Sequence, residues 1–307
     1  MKFFYAIILS FPFLLNAQDV HFSQWHNNPL FLTPSSAGYF DGSYRITAQQ
    51  REQWASVSIP FSTTSIGVDM PLKKWGVGAQ LVRDQSGSSH LSLMQLSLSL
   101  SRSLSDWRVG FQIGMAQQQI DYSELIFIDN GEQIPSTNNS FLDFSAGIHK
   151  TFWIGEMSID GGYALFHINT PNRSFHSNED LLPVKHQWYS LLHYPLNSQW
   201  SVQSSIQWLK QEKQSQLVLG SQIEYDMSQT NFQDIGLQCG AYFRLGDAIN
   251  ILLGLQWEQS QLAFSYDVNI SDLVPASNSR GAWEISFIHI IKSSLNRPSN
   301  KMCPSFL

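Results

Sequence analysis

The stretch Leu91-Ser92-Leu93-Met94-Gln95-Leu96-Ser97-Leu98-Ser99-Leu100-Ser101-Arg102 sets apolar side chains at Met94, Leu96, Leu98 and Leu100 and polar ones at Gln95, Ser97 and Ser99. Successive side chains of a β-strand point to opposite sides, so this is a strand with one oily and one wet face. A helix would scatter the same leucines around its circumference. The pattern recurs outward from here. Trp107, Val109, Phe111, Ile113 and Met115 alternate with Arg108, Gly110, Gln112, Gly114 and Ala116. Ile235, Leu237, Cys239, Ala241 and Phe243 alternate with Gly236, Gln238, Gly240, Tyr242 and Arg244, and Leu262, Phe264, Tyr266 and Val268 with Ala263, Ser265, Asp267 and Asn269.

Read along the chain, the alternation predicts strands over 43–54, 61–71, 74–84, 88–102, 106–120, 138–151, 155–168, 184–196, 199–212, 215–228, 233–246, 248–258, 261–269 and 279–293. Many reach the ~9–11 residues that a tilted membrane strand needs, whereas soluble strands run to about 5–6. Length therefore favours an all-β, outer-membrane antiparallel β-barrel of about 14 strands over a soluble β-sandwich. Composition agrees. Charged residues make up 14% of the chain against a usual ~25%, while aromatics reach 13%. A water-exposed surface needs more charge than that. With a net charge of −6 and no Lys/Arg cluster, nucleic acid is excluded as a partner.

The ends supply the compartment. Lys2, an apolar run from Phe3 to Leu15, and Asn16-Ala17 read as a signal peptide over 1–17, cut after Ala17; the competing reading is a buried N-terminal helix. No cysteine follows the cut, which argues against a lipid anchor. No later run approaches the ~18 apolar residues of a membrane helix; candidates such as Ile249 to Leu253 are strand-length. Residues 18–42, with Pro29 and Pro34, read as an irregular N-terminal lead-in, periplasmic or plugging. The barrel spans 43–293, and 294–307 form a short C-terminal tail in the periplasm. An even strand count puts both termini there, and then the longest connections, 121–137, 169–183 and 270–278, all face outward. Trp75, Trp107, Trp153, Trp200 and Trp257 fall at the periplasmic strand ends, and Trp54, Trp208 and Trp283 near the other rim, as aromatic girdles require.

Chemistry is sparse. The Gly-x-Ser-x-Gly elbow of a hydrolase does not occur. His90 beside Ser88 and Ser89 lacks an orienting third group, and His149, His167 and His289 read as polar lumen or rim residues on separate strands. His21 and His26 have no further ligand at metal spacing, so no metal and no cofactor are expected. Asp143, Asp160 and Glu224 read as residues wetting the lumen, able to pair with Arg108, Arg244 or Lys185 across the bore. Cys239 in mid-strand and Cys303 in the tail make one disulfide possible and disfavoured.

Several runs taken in order resemble the PorP/SprF family of the Bacteroidetes type IX secretion system. They are His21-Phe22-Ser23-Gln24, Asn28-Pro29-Leu30, Pro34-Ser35-Ser36-Ala37-Gly38, Arg51-Glu52-Gln53-Trp54, Ser65 to Asp69, Lys74-Trp75-Gly76-Val77-Gly78 and Asp84-Gln85-Ser86-Gly87. His167-Ile168-Asn169-Thr170-Pro171, Ser174-Phe175, Leu182-Pro183 and the closing Cys303-Pro304-Ser305-Phe306 complete the match. The resemblance implies a non-enzymatic outer-membrane protein serving export, capture or surface attachment of large adhesins or gliding-motility proteins with a C-terminal sorting domain. Its expected partners are outer-membrane lipid, other secretion components and such a cargo. The surface that would meet a partner, or else plug the barrel, comprises Phe22, Trp25, Leu30, His167, Asn169, Pro171, Phe175, Cys303, Pro304 and Phe306. A generic porin or hydrophobic-solute channel is the alternative, and a barrel lipase would need a Ser–His pair in contact.

Overall fold

The computed structural model describes residues 19–53, 60–86, 91–121, 137–175, 179–227, 235–271 and 280–292. The expected signal peptide, the tail carrying Cys303, Pro304 and Phe306, and also Trp54 and His90, lie outside them. Fourteen strands run Tyr44–Gln53 (β1), Phe61–Leu72 (β2), Trp75–Ser86 (β3), Leu91–Leu104 (β4), Trp107–Ile120 (β5), Thr137–Ile154 (β6) and Met157–Phe166 (β7). They continue as Lys185–Pro195 (β8), Trp200–Gln211 (β9), Gln214–Asp226 (β10), Ile235–Arg244 (β11), Ala248–Trp257 (β12), Ser260–Asn269 (β13) and Arg280–Ile291 (β14). Each pairs antiparallel with its chain neighbours, and β1 pairs with β14 to close the barrel. Closure leaves no open edge, which a sheet in lipid cannot tolerate.

The quoted stretch behaves as its alternation requires. Leu96, Leu98 and Leu100 point outward with 52%, 55% and 46% of their surface exposed, while Ser97, Ser99 and Ser101 are buried in the interior. Tight turns after β2, β4, β6 and β12 gather at one end of the barrel, where Lys73, Ser105, Gly155 and Glu258 take left-handed φ to reverse the chain. That hairpin end also holds the start of β1, the finish of β14 and Trp75, Trp107, Trp153, Trp200 and Trp257. At the opposite, loop end β5 joins β6, β7 joins β8 and β13 joins β14.

Most strand ends shift by one to three residues from the sequence reading, and two of these shifts bear on the site. β6 runs three residues beyond the expected 151, and β7 stops at Phe166 instead of 168. His167 and Thr170 both have positive φ, +59° and +42°, so the chain leaves the ladder there and folds back. His167 is therefore a corner residue and not a strand residue.

Residues 19–42 do not hang below the barrel. They run lengthwise through its bore as short turns: a 3₁₀ turn at Trp25–Asn27, one α-helical turn Pro29–Leu32 (α1), and a second 3₁₀ turn at Pro34–Ser36. The Asn28 side chain caps α1 by accepting from Phe31 N–H, and Pro29 occupies the first helical position, where its missing donor costs nothing. Small wall residues make room. At Gly110 and Gly147 a Cβ would overlap Pro34–Ser35 and the Thr33 hydroxyl, so the wall of β5 and β6 is shaped to this segment. Asp19 lies at the loop end and residue 43 at the hairpin end. The first described residue and Ile291 are thus at opposite mouths, contrary to the expectation that both ends share one.

Candidate functional site in the filled bore

A barrel whose inward residues are polar normally holds water. Here the inward groups instead bind the lead-in, and the charged ones do most of the fastening. Arg51 of β1 reaches Asp267 of β13 at 2.9 Å and Glu284 of β14 at 3.2 Å, all three about 1% exposed. Glu284 in turn accepts from the backbone N–H groups of Ser23 (2.7 Å) and Gln24 (2.8 Å). Asp267 also accepts from Arg244 at 2.6 Å, Asn250 at 2.7 Å and the Ser23 hydroxyl at 2.9 Å. This network couples the barrel seam to the start of the lead-in.

A second set holds the exit. Arg45 and Asp69 form a two-pronged pair at 3.0 and 2.8 Å, and Asp69 accepts from Gly38 N–H at 2.6 Å. Gly38 has φ +64°, and a Cβ there would meet the Met70 carbonyl, so glycine is required on both counts. Between the two sets, Asn28 donates to Gln49 and Ser65 at 3.0 Å, and Gln80 donates to Asn28 at 2.8 Å. Arg108 donates to the carbonyls of Ser35 and Ala37 and Gln187 to that of Leu32. Irregular backbone buried inside a barrel must find such partners in the wall.

The third set lies at the loop end. Asp19 meets His167 at 2.6 Å and Lys185 at 3.1 Å, and the other nitrogen of His167 meets Asp143 at 3.0 Å. Burial opposes charge on His167, but the carboxylates of Asp19 and Asp143 outweigh it and raise its pKa to about 9. Burial also opposes ionisation of Asp19, but Lys185 and His167 hold its carboxyl well below the usual range.

The predicted contact residues divide accordingly. Phe22, Trp25 and Leu30 are buried in the bore. Phe22 meets Phe31 edge-on at 5.1 Å. Trp25, with Leu32, joins the inward Tyr189, Leu191, Val218, Tyr242, Leu252 and Ala263 in an apolar belt at mid-bore. Asn169 bonds the β6 backbone at Leu142 and Phe144, and Pro171 accepts from Leu182 N–H, so these two and the partly exposed Phe175 shape the folded-back loop beside His167. No single surface unites the two groups.

The expected ion pairs of Asp143, Asp160 and Glu224 with Arg108, Arg244 or Lys185 do not form. Asp160 accepts from the Thr151 hydroxyl and Glu224 from Gln222 at 2.8 Å, because the cations are taken by lead-in carbonyls, Asp267 and Asp19. The fastening residues Arg45, Arg51, Asp69, Asp267 and Glu284 were not singled out from sequence. Their signal was there: charges on the inward parity of membrane strands, where water alone cannot explain them.

One Ser–His contact exists. Ser35 Oγ lies 3.0 Å from His149 Nδ1, but Ser35 is fully buried and His149 Nε2 has no partner among the described residues. A nucleophile without access and a base without an orienting group do not make a hydrolase site. Cys239, on the outward face of β11, has no disulfide partner among the described residues, and Cys303 lies outside them.

At the hairpin end a cavity of about 530 Å³ remains between the lead-in and β8–β14; a recess of about 40 Å³ lies beside Trp25 at the loop end.

The barrel is of the outer-membrane type. Among solved structures the chain is similar to the Ralstonia pickettii toluene transporter TbuX, at 10% identity over 84% of this chain and 92% of that one, TM-score 0.52. It is also similar to the CymD monoaromatic hydrocarbon channel, at 8% identity over 88% and 92%, TM-score 0.53. Identities this low carry the fold alone. No curated protein matches. The sequence model of the family described as type IX secretion system membrane protein PorP/SprF matches residues 14–288, most of the chain, and the chain belongs to that family.

Proposed function

We propose that this protein is a non-enzymatic docking barrel of type IX secretion, serving the export, capture or surface attachment of large proteins with a C-terminal sorting domain. One observation carries the reading beyond the family: the bore is filled by the protein's own N-terminal segment, fastened through buried Arg51, Asp267, Glu284, Arg45 and Asp69. Breaking one member of a buried pair costs about 3–5 kcal/mol, so a segment held by several does not swing aside for each passing solute. The barrel works through its mouths. By the convention of short periplasmic turns, the hairpin end faces the periplasm and the 167–184 loop faces outward. The competing reading is a generic porin or hydrophobic-solute channel, to which the likeness to a hydrocarbon channel adds only the fold. Deleting the gene and scoring surface display of a sorting-domain protein, alongside conductance of the purified barrel in a planar bilayer, separates the two. Loss of display with a silent bilayer supports docking; open conductance with normal display overturns it.

A further inference from the structure

The cavity at the hairpin end is walled by a run of amides. Gln203, Gln222, Gln238, Gln256 and Gln261 stand one each on the consecutive strands β9 to β13. Gln261 donates to Gln238 at 3.0 Å, Tyr242 to Gln222 at 2.7 Å, and Gln222 to Glu224 at 2.8 Å. The Gln203 side chain is nine-tenths buried and lines the cavity, and its amide makes no hydrogen bond among the described residues. A buried amide left bare is costly unless a ligand or ordered water serves it.

The charge is one-sided. Glu224 lies in the wall, accepting from Gln222, from Ser201 at 3.3 Å and from Gln238 at 3.5 Å, with no cation within salt-bridge reach among the described residues. Glu258 stands with it in the lining, while Arg45, the arginine there, is engaged by Asp69. Elsewhere in the bore Asp69, Asp267, Glu284 and Asp19 each have a cation. Trp200 and Tyr225 stack on each other at 4.5 Å on the outward side of β9 and β10, so they offer no platform inside for a sugar ring. Amides that donate and accept suit a peptide backbone, and an uncompensated carboxylate suits an ammonium or guanidinium group. The volume falls within the ~300–1,000 Å³ of ordinary ligand sites.

We propose that this cavity is a socket for an extended polypeptide segment bearing a lysine or arginine, whose side chain inserts to Glu224 while its backbone bonds Gln203 and neighbouring amides. That the segment belongs to a periplasmic partner rests on the secretion reading; the binding itself does not.

The test uses the full-length barrel in detergent and the biotinylated pentapeptide Gly-Asn-Lys-Asn-Gly in biolayer interferometry. The lysine peptide is expected to bind, its glutamate counterpart not to, and maltotriose not to compete. Glu224→Gln and, separately, Gln203→Leu are expected to weaken binding about tenfold or more, in barrels that still show the heat-dependent gel shift of folded wild type. Absence of binding, equal binding of both peptides, unchanged affinity in Glu224→Gln, or competition by maltotriose overturns the proposal. Binding that emerges only after deletion of 294–307, which carries Arg297 and Lys301, overturns the assignment to a partner and makes the tail the occupant. The surface-display experiment stands apart from these results, so failure of the socket and failure of the secretion role are read separately.

Discussion

Ser23 and Glu284 are 261 positions apart and joined at 2.7 Å, the lead-in's backbone N–H to the last strand's carboxylate. The first part of the lead-in is therefore docked on the strand that closes the barrel, and the lead-in cannot seat fully until β14 is in place. Glu284 simultaneously neutralises Arg51. Replacing Glu284 with alanine leaves that guanidinium with Asp267 as its one carboxylate and bares two backbone donors and the Gln49 amide, at a cost of about 3–5 kcal/mol. The temperature of the gel-mobility shift should fall markedly, and Glu284→Gln, which keeps an acceptor, should fall less. Equal shifts for the two would assign the effect to packing instead of charge.

Outward and inward neighbours should respond differently to the same change. Leu98→Arg and Ile113→Arg put a cation in lipid, at about 2–4 kcal/mol near the midplane, and should impair assembly. Gln112 faces inward, but it is 5% exposed and bonded to Ser99, because the bore is filled. Gln112→Ser should assemble normally, whereas Gln112→Arg should not. Outer-membrane yield by immunoblot decides it.

The loop-end fastening should depend on pH in a stated direction. The pKa of His167 is raised from 6.5 to about 9, so its contribution is complete below pH 6.5 and is lost as pH rises through 9. That of Asp19 is depressed, so its contribution is present above about 3.8 and lost as pH falls. Hydrogen exchange at residues 19–22 should therefore speed up between pH 7 and 10, after correction for the intrinsic rate. His167→Asn should exchange fast throughout. A flat profile in the wild type would remove the ion pair from the account.

Trp25 separates the loop-end recess from the hairpin-end cavity. Trp25→Ala should cost about 3–5 kcal/mol if the belt cannot collapse, and should admit small-solute leakage in liposome swelling. A folded, tight Trp25→Ala barrel that loses surface display would instead place Trp25 in partner binding.

Orientation is open to labelling. With Cys239 and Cys303 replaced by serine, Leu181→Cys in the 167–184 loop should react with a membrane-impermeant maleimide on intact cells. Ser198→Cys, in the β8–β9 turn, should react only after permeabilisation. The reverse result would invert the barrel and the direction in which the peptide socket opens.

The sequence by itself determined the barrel. Alternation is a local property, since neighbouring side chains of a strand must face opposite media, and runs such as Met94 to Leu100 or Phe111 to Met115 display it residue by residue. Strand length and the scarcity of charge then selected lipid over water as the outer medium. What fills the bore was decided only by tertiary structure. Arg51, Asp267 and Glu284 come from opposite ends of the chain, and nothing in their local sequence distinguishes a carboxylate wetted by a lumen from one gripping Ser23. Inward parity says that a side chain leaves the lipid; it does not say what it meets. The run Asn28-Pro29-Leu30 through Gly38 read as an irregular lead-in because Pro29 and Pro34 break any regular period, and its short turns leave hydrogen bonds to be made elsewhere. Those bonds are completed by Gln49, Asp69, Arg108 and Gln187, brought within reach only when the sheet closes on itself.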